Sequence, residues 1–227
     1  MATATGASRL RELMVDSPAS VGARRRAQRW ELFARLFPDL DQMSVLDLGG
    51  TAEAWHRAPV HPASVVVLNL LEPGETTEPW LRPVLGDACT ARRSLAAAEA
   101  PAAYDLVFSN SLIEHVGGHA QRAALAREVH ALAPRHWVQT PNRYFPVEPH
   151  WLCPGLQFLP VGARARVAAA WPLAHTRPDS REDALAEVQW TELIGRAEMR
   201  AYFPGSEIHQ ERMAGLTKSL IAVAAAA

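Results

Sequence analysis

The sequence predicts an α/β fold built on a doubly wound, mostly parallel β-sheet. Between residues 44 and 142, apolar runs of strand length alternate with helical segments, which is the pattern of βαβ units. Runs such as SVLDLG (44–49) and SVVVLNL (64–70) are apolar almost throughout, as expected of strands covered on both faces. Hydrophobic residues make up 48% of the chain and charged residues 21%, which indicates a globular protein.

The elements of this region are predicted in order along the chain. Residues 1–20 are expected to form a loosely packed arm, and residues 23–37 an amphipathic helix with its aromatic side chains on one side. A helix begins near Thr51, and another spans 119–134. The predicted strands cover residues 44–49, 64–70, 82–88, 103–110 and 135–142.

The chain changes character after the fifth strand. Residues 141–180 are rich in proline and aromatic side chains, and inserts of about 40 residues usually form a lid or a pocket wall. Residues 180–203 are predicted to be helical, and two strands around a turn near Gly215 are expected to close the sheet as an antiparallel pair. The prediction is a single domain, 1–227, with an arm and helix (1–40), a core (42–142), the insert (143–180) and closing elements (181–227).

Charge and cysteine content exclude several classes of protein. The net charge of −1 provides no general attraction to nucleic acid or to an anionic membrane. Two cysteines cannot form a disulfide framework, and no His, Cys or Asp cluster has the spacing of a metal site. The sequence contains neither a signal-peptide pattern nor an apolar run long enough to span a membrane, so a cytoplasmic protein is expected.

A short glycine turn, Asp47-Leu48-Gly49-Gly50, follows the first predicted strand. Glycines at this place let a ligand approach the backbone closely. Nicotinamide enzymes need the pattern G-x-G-x-x-G to seat a pyrophosphate, and this turn lacks it. Glu53 would also bring a negative charge close to the phosphates. The turn therefore favours a phosphate-free cofactor with an amino-acid head, a ribose and an adenine.

Polar side chains stand at the ends of the other strands as well. Asn69 ends the second strand, 22 residues after Asp47, near the place where a ribose-binding side chain is expected. Asp87 ends the third strand and can accept a hydrogen bond from an adenine amine. Ser109 and Asn110 end the fourth strand, and the carboxyl ends of parallel strands are where such sheets bind ligands.

The segments VLDLGG, VVVLNL, VLGDA and YDLVFSNSLIEHV, taken in this order, resemble the class I S-adenosylmethionine-dependent methyltransferases of the type 11 group. The resemblance covers residues 42–142 and, more weakly, 205–225. It implies a Rossmann-like sheet of seven strands, with S-adenosylmethionine as cofactor and S-adenosylhomocysteine as product. Two departures from the family pattern are Thr51 and Glu53 at later glycine positions and Asn69 in place of an acid. We consider that Glu53 favours the cationic groups of the cofactor.

The resemblance also implies roles for individual residues. The methionine part of the cofactor would lie at the glycine turn, the ribose at the end of the second strand, the adenine after the third, and the sulfonium near the fourth. The implied cofactor-binding residues, in that order, are Asp47, Gly49, Gly50, Asn69, Leu70, Asp87, Ala88, Ser109 and Asn110.

Candidate acceptor-binding and catalytic residues lie in EHVGG (114–118) and YFPVEPHW (144–151). His150 or His115 is the candidate general base, because an imidazole titrates near neutral pH. The alternative is that His115 packs under the sheet, and that Glu148 and His150 pin the insert through buried hydrogen bonds. The residues expected to contact the acceptor are Arg143, Tyr144, Phe145, Glu148 and Trp151.

The sequence as a whole therefore predicts a methyltransferase that acts on an oxygen, nitrogen or carbon atom of a small molecule, in specialised (natural-product) metabolism. We expect a monomer or homodimer with no nucleic-acid partner. Two alternatives stay open: a methyltransferase-fold protein that binds without catalysis, suggested by the glycine-poor turn, and an RNA methyltransferase, which the charge disfavours. A nicotinamide oxidoreductase is disfavoured by the missing glycine pattern.

Overall fold

The computed structural model describes residues 17, 20–174 and 178–225, so most of the predicted arm of residues 1–20 lies outside the described residues. The chain divides into two compact units. The first, here called the sheet unit, comprises Phe37–Phe145 and Trp190–Ala227. The second, here called the helical unit, comprises Met1–Leu36 and Pro146–Gln189.

Seven strands form the sheet of the sheet unit, in the spatial order β3-β2-β1-β4-β5-β9-β8. The first five pair in parallel, whereas β9 runs antiparallel to β5 and β8 antiparallel to β9. The predicted doubly wound, mostly parallel sheet is thereby confirmed. The strands of the described residues are β1 (Ser44–Leu48), β2 (Ser64–Asn69), β3 (Leu81–Leu85), β4 (Leu106–Asn110), β5 (Arg135–Pro141), β6 (Val147–Glu148), β7 (Cys153–Pro154), β8 (Glu207–Met213) and β9 (Leu216–Ala224).

The predicted strands agree with these bounds to within a few residues. The strand β4 begins at Leu106 rather than at residue 103, because the Tyr104 N–H donates to the carbonyl of Leu132 instead of joining the sheet. The strand β3 ends at Leu85 rather than at residue 88, because Asp87 caps a 3-10 helix that begins at Ala88. The described helices are α1 (Val21–Leu36), α2 (Ala52–His56), α3 (Ala91–Ala97), α4 (His119–Leu132), α5 (Val161–Ala170), α6 (Arg181–Trp190) and α7 (Arg196–Tyr202).

The continuous helix predicted over residues 180–203 is wrong, because the chain leaves the helix between α6 and α7. Backbone groups of this break bond across the sheet unit: the Glu192 N–H donates to the carbonyl of Glu114, and the carbonyl of Ile194 accepts from Arg143. These bonds replace the hydrogen bonds that a continuous helix would have made. Residues 191–195, here called the break segment, therefore run beside the carboxyl ends of β4 and β5.

The core of the sheet unit holds the strand ends in place. Leu46, Leu68 and Val107 of the parallel strands belong to one buried apolar cluster with Val129 of α4 and with Phe203, which directly follows α7. Burial of such side chains supplies most of the stability of an α/β sheet, and close packing leaves little freedom to the turns that follow the strands.

The helical unit has a small core of its own. Trp151, Leu156, Ala168 and Val188 are buried together there. A guanidinium N–H of Arg164 donates to the carbonyl of Val188 at 2.7 Å, which links α5 to α6. None of the helices in the described ranges combines the length and the apolarity that a membrane span requires.

Candidate functional site

Two glycines make the turn after β1 possible. Gly49 has φ +82°, a conformation that side chains with a Cβ rarely adopt, and a Cβ there would lie 2.7 Å from Leu112. At Gly50 the obstacle is steric, since a Cβ would lie 1.8 Å from Oδ2 of Asp47. The carboxyl group of Asp47 thus occupies the space that a side chain at position 50 would need. Both positions therefore require glycine, and the turn carries no side chain between Leu48 and Thr51.

Asp47 is enclosed beside this turn, with 2% of its surface exposed. The indole N–H of Trp55 donates to Oδ2 at 2.8 Å, and Oδ1 has no hydrogen-bond partner among the described residues. Burial raises the pKa of Asp47 to about 7, and the Trp55 hydrogen bond opposes the rise. A carboxyl group that titrates near neutral pH therefore lies at the tip of the first strand.

We expect Asp47→Asn to change how the stability of the protein depends on pH. The pKa of Asp47 is about 7 in the folded chain against 3.8 ordinarily, so the folded state binds a proton that the unfolded state has lost. The contribution of Asp47 to the free energy of unfolding is therefore fully present below about pH 4. It decreases as the pH rises and is lost once the pH has passed about 7. Chemical denaturation at pH 5 and pH 8 measures the difference. Between pH 5 and pH 8 the free energy of unfolding of Asp47→Asn should fall by about 2–3 kcal/mol less than that of the wild type, at about 1.4 kcal/mol per pKa unit.

His136 provides the internal reference for this measurement. Burial, with the nearby His130 second, lowers the pKa of His136 to about 4, and its Nε2 lies 2.8 Å from Oγ of Ser206. A depressed imidazole pKa stabilises the fold above about pH 6.5, and this stability is lost as the pH falls towards 4. The pH dependence that His136 contributes is opposite in sign to that of Asp47. It is the same in the wild type and in Asp47→Asn, so it cancels when the two are compared. Identical pH profiles for wild type and Asp47→Asn would contradict the raised pKa of Asp47.

Asn69 joins the end of β2 to the glycine turn. Its side-chain amide donates to the carbonyl of Gly50 at 2.7 Å and to that of Gly49 at 3.2 Å, while its Oδ1 accepts from the backbone N–H of Leu71 at 3.0 Å. The structure therefore brings together Asp47, Asn69 and both glycines. Leu70 follows Asn69 with 54% of its surface exposed.

The residues predicted at the ends of β3 and β4 differ in what they can offer a ligand. Asp87 is half-buried, and its Oδ1 accepts from the backbone N–H of Cys89 at 2.8 Å, while Ala88 is buried in the core. Ser109 is fully enclosed, and its hydroxyl donates to the carbonyl of Leu48 at 2.9 Å. Asn110 is half-buried and accepts from the indole N–H of Trp137 at 3.2 Å.

A row of aromatic side chains connects two of these positions. The ring of Trp55 meets that of Phe108 edge to face at 5.3 Å, and Phe108 stacks on Trp137 at 6.4 Å. The two indole N–H groups donate to Asp47 and to Asn110. Sequence reasoning did not identify the role of Trp55 or Trp137. The available signal was two tryptophans placed in or after buried strands, where an indole N–H needs a partner.

Glu53 lies on the outside of the turn. Its carboxylate is 66% exposed and forms an ion pair with Arg57 at 3.5 Å, and it lies 3.8 Å from a ring nitrogen of His56. Thr51 caps the short helix α2, its hydroxyl accepting from the N–H of Ala54. The residues that replace the family's later glycines are thus used to start α2 and to pair with its own basic side chains.

Three predicted residues of the sheet unit lie next to the break segment. Nδ1 of His115 is 3.4 Å from the hydroxyl of Thr191. Tyr144 is 70% exposed, and its ring covers Gly195, where a Cβ would lie 2.8 Å from Cε2. The Arg143 N–H donates to Ile194. The sequence could not show this grouping, because it predicted a helix over the break segment.

Two further residues complete this part of the sheet unit. Phe145 is buried. Glu114, next to His115, is also buried and accepts from the hydroxyl of Thr140 at 3.0 Å.

The remaining predicted residues, Glu148, His150 and Trp151, belong to the helical unit. Glu148 is buried, and its Oε2 accepts from the backbone N–H groups of His150 and Trp151 at 2.8 and 2.9 Å. Its Oε1 lies 2.7 Å from Nδ1 of His150. The carboxylate therefore holds both the turn between β6 and β7 and the orientation of the imidazole. Trp151 is buried in the core of the helical unit.

Comparisons with known proteins identify solved structures that have a similar fold. No family model matches the sequence, and no curated protein is significantly similar to it. A SAM-dependent methyltransferase from Anabaena variabilis is similar in structure at a TM-score of 0.56 with 14% identity, covering 88% of this chain and 83% of that chain. The plantazolicin methyltransferase BamL, solved with a triazolic desmethylPZN analog and SAH, has a TM-score of 0.53 and 10% identity, with coverage of 96% and 89%.

The likeness to both structures extends over most of each chain and concerns the fold. It agrees with the strand order found here, in which five parallel strands are followed by an antiparallel pair. We conclude that this chain has the fold of the class I S-adenosylmethionine-dependent methyltransferases.

Proposed function

We propose that the protein is an S-adenosylmethionine-dependent methyltransferase that acts on a small molecule. The observation that carries the proposal is the turn at Gly49 and Gly50, which packs against the carboxyl group of Asp47 and accepts hydrogen bonds from the amide of Asn69, at the carboxyl ends of β1 and β2. In open α/β sheets this edge, at the point where the strand order reverses, is the ligand-binding edge. Here the order reverses between β1 and β4.

The residues at this edge fit the proposed cofactor. Position 50 accepts no side chain, because the carboxyl group of Asp47 lies against it, and this group, when ionised, would supply negative charge near the cationic methionine part. Exposed Leu70 offers an apolar surface to the nucleoside. The proposed cofactor-binding residues are Asp47, Gly49, Gly50, Asn69, Leu70, Asp87, Ala88 and Asn110, with Ser109 supporting them from within the sheet.

The sulfonium of the cofactor supplies a methyl group on a good leaving group. The chain must then hold an acceptor atom in line and keep water out. We propose that Arg143, Tyr144, Phe145, Glu148 and Trp151 bind the acceptor. His150 or His115 is proposed to take a proton from an acceptor that needs deprotonation. Glu148 engages Nδ1 of His150 at 2.7 Å, so a transferred proton would go to Nε2.

The nature of the acceptor belongs to the same proposal. BamL was solved with a triazolic desmethylPZN analog, and we propose a small-molecule acceptor, in specialised metabolism, for this chain. A net charge of −1 supports a small molecule over an RNA. We further propose a cytoplasmic monomer or homodimer.

A second candidate function is binding without catalysis. The observation that favours it is that the predicted cofactor groups already bond to the protein. Asn69 is engaged by the turn, Ser109 by Leu48, and Asp47 by Trp55. Such internal bonds reduce the capacity of these groups to bind a ligand.

Calorimetric titration with S-adenosylmethionine and with S-adenosylhomocysteine tests the proposal. We expect binding of both at micromolar concentration and no binding of NAD. Release of S-adenosylhomocysteine is then followed with a panel of phenols, amines and activated carbon acids. Binding with turnover supports the enzyme, binding without turnover supports the second candidate, and no binding contradicts both. Unchanged rates in His150→Ala and His115→Ala would contradict a histidine base.

A further inference from the structure

Trp55 is the residue that donates a hydrogen bond to the carboxyl group of Asp47. It is the last but one residue of the short helix α2, is fully buried, and reaches back to the tip of β1. Its indole N–H bonds to one oxygen of the carboxylate at 2.8 Å, and the other oxygen has no hydrogen-bond partner in the described residues. The carboxylate in turn fills the space beside Gly50. A chain of direct contacts thus runs from Trp55 through Asp47 to the turn.

The position of Trp55 is itself determined by its neighbours. Its ring packs edge to face on Phe108, which stacks on Trp137. Edge-to-face pairs have a defined geometry and add to the energy of burial. The row therefore fixes where the Trp55 N–H points, independently of any ligand.

We propose that Trp55 is a positioning residue of the candidate cofactor site: its N–H holds the Asp47 carboxylate beside Gly50 and thereby sets the shape of the turn that receives the ligand. The inference rests on the proposed function, because it concerns the same site. Trp55 acts through Asp47 and needs no contact with the ligand or the reacting atoms.

The physical reason is the low polarity of the surroundings of Asp47. Burial and the Trp55 N–H are the two influences on the pKa of this carboxyl, and they oppose each other. Without the N–H the carboxyl group would be buried with neither oxygen bonded, a state that favours protonation or movement towards water. Either response displaces the group that lies against Gly50.

The first test follows Asp47 directly. In protein labelled with ¹³C at the aspartate carboxyl carbons, NMR titration gives the midpoint of Asp47, assigned by its absence in Asp47→Asn. Trp55→Phe should move this midpoint to higher pH, because it removes the opposing influence. The matched control is Trp80→Phe, which removes an indole N–H bonded to Glu78 outside the aromatic row and should leave the Asp47 midpoint where it is. A midpoint that does not move in Trp55→Phe would overturn the proposal.

The second test measures ligand binding by calorimetry with S-adenosylhomocysteine. Trp55→Phe should raise the Kd about tenfold, as expected for loss of one buried hydrogen bond to a charged group. In the Asp47→Ala background, which has no oxygen to accept the indole N–H, the same substitution should change the Kd less than threefold, since the effect passes through the carboxylate. An equal loss in both backgrounds would show a merely structural role and overturn the inference.

A second variant separates the loss of the indole N–H from a possible loss of the fold in Trp55→Phe. Replacing Trp55 by β-(3-benzothienyl)alanine keeps the bicyclic shape and removes only the N–H, so it should reproduce both effects of Trp55→Phe. Wild-type binding in this variant would overturn the proposal. Failure of the wild type to bind S-adenosylhomocysteine would instead contradict the proposed function, so the two failures are distinguishable.

Discussion

Gly50→Ala is expected to lower the free energy of unfolding by about 3 kcal/mol or more and to abolish binding of S-adenosylhomocysteine. The new Cβ would lie 1.8 Å from Oδ2 of Asp47, a distance at which either the carboxylate or the turn must move. The carboxylate cannot move easily, because it is buried and bonded to Trp55. Overpacking in a rigid site costs about 1–3 kcal/mol, and loss of the bond to a buried charged group adds to this. Chemical denaturation and calorimetry measure the two effects.

The control for this substitution is Gly162→Ala in α5, where a Cβ meets no atom within 4 Å. Alanine is a better helix former than glycine, so this variant should gain about 0.5–1 kcal/mol. The clash with Asp47 is tested by a double-mutant cycle. In an Asp47→Ala background, Gly50→Ala should cost at least 1.5 kcal/mol less than alone, about half of its cost in wild type. Additive losses would contradict the steric explanation.

Asn69→Asp is expected to weaken binding of S-adenosylhomocysteine about a hundredfold and to destabilise the fold by about 2–3 kcal/mol at pH 8. This substitution restores the acid that the resemblance led us to expect at the end of β2. The amide of Asn69, however, donates to the carbonyls of Gly50 and Gly49 at 2.7 and 3.2 Å. A carboxylate there would set negative charge against two carbonyl oxygens and lose both hydrogen bonds. Calorimetry and chemical denaturation are again the measurements.

Two comparisons sharpen this expectation. Asn110→Asp keeps the oxygen that accepts from the indole of Trp137, so it should cost less than about 1 kcal/mol of stability. Lowering the pH should partly restore the stability of Asn69→Asp, because protonation removes the repulsion. Tighter ligand binding by Asn69→Asp than by wild type would show that the family's acid was the better ribose ligand and that the observed hydrogen bonds matter little.

Hydrophobic patterning determined most of the sheet. The runs that became β1 and β2 are apolar almost throughout because both of their faces are buried, and this requirement is local enough to be read from the residues themselves. The closing strands β8 and β9 were likewise predictable around the turn at Gly215. The continuous helix over residues 180–203 could not be corrected from the sequence, since the bonds that interrupt it go to Glu114 and Arg143, far away along the chain.

For the candidate site too, some features could be predicted from the sequence and others depend on the tertiary structure. The sequence by itself determined that Asp47, Asn69 and the two glycines stand at strand ends, because strand ends are set by local pattern. Only the tertiary structure decided that Asn69 bonds to the turn, that Ser109 is used inside the sheet, and that Trp55 holds Asp47. These are contacts between side chains brought together by packing, and the energy of a buried polar group depends on which partner the fold places beside it.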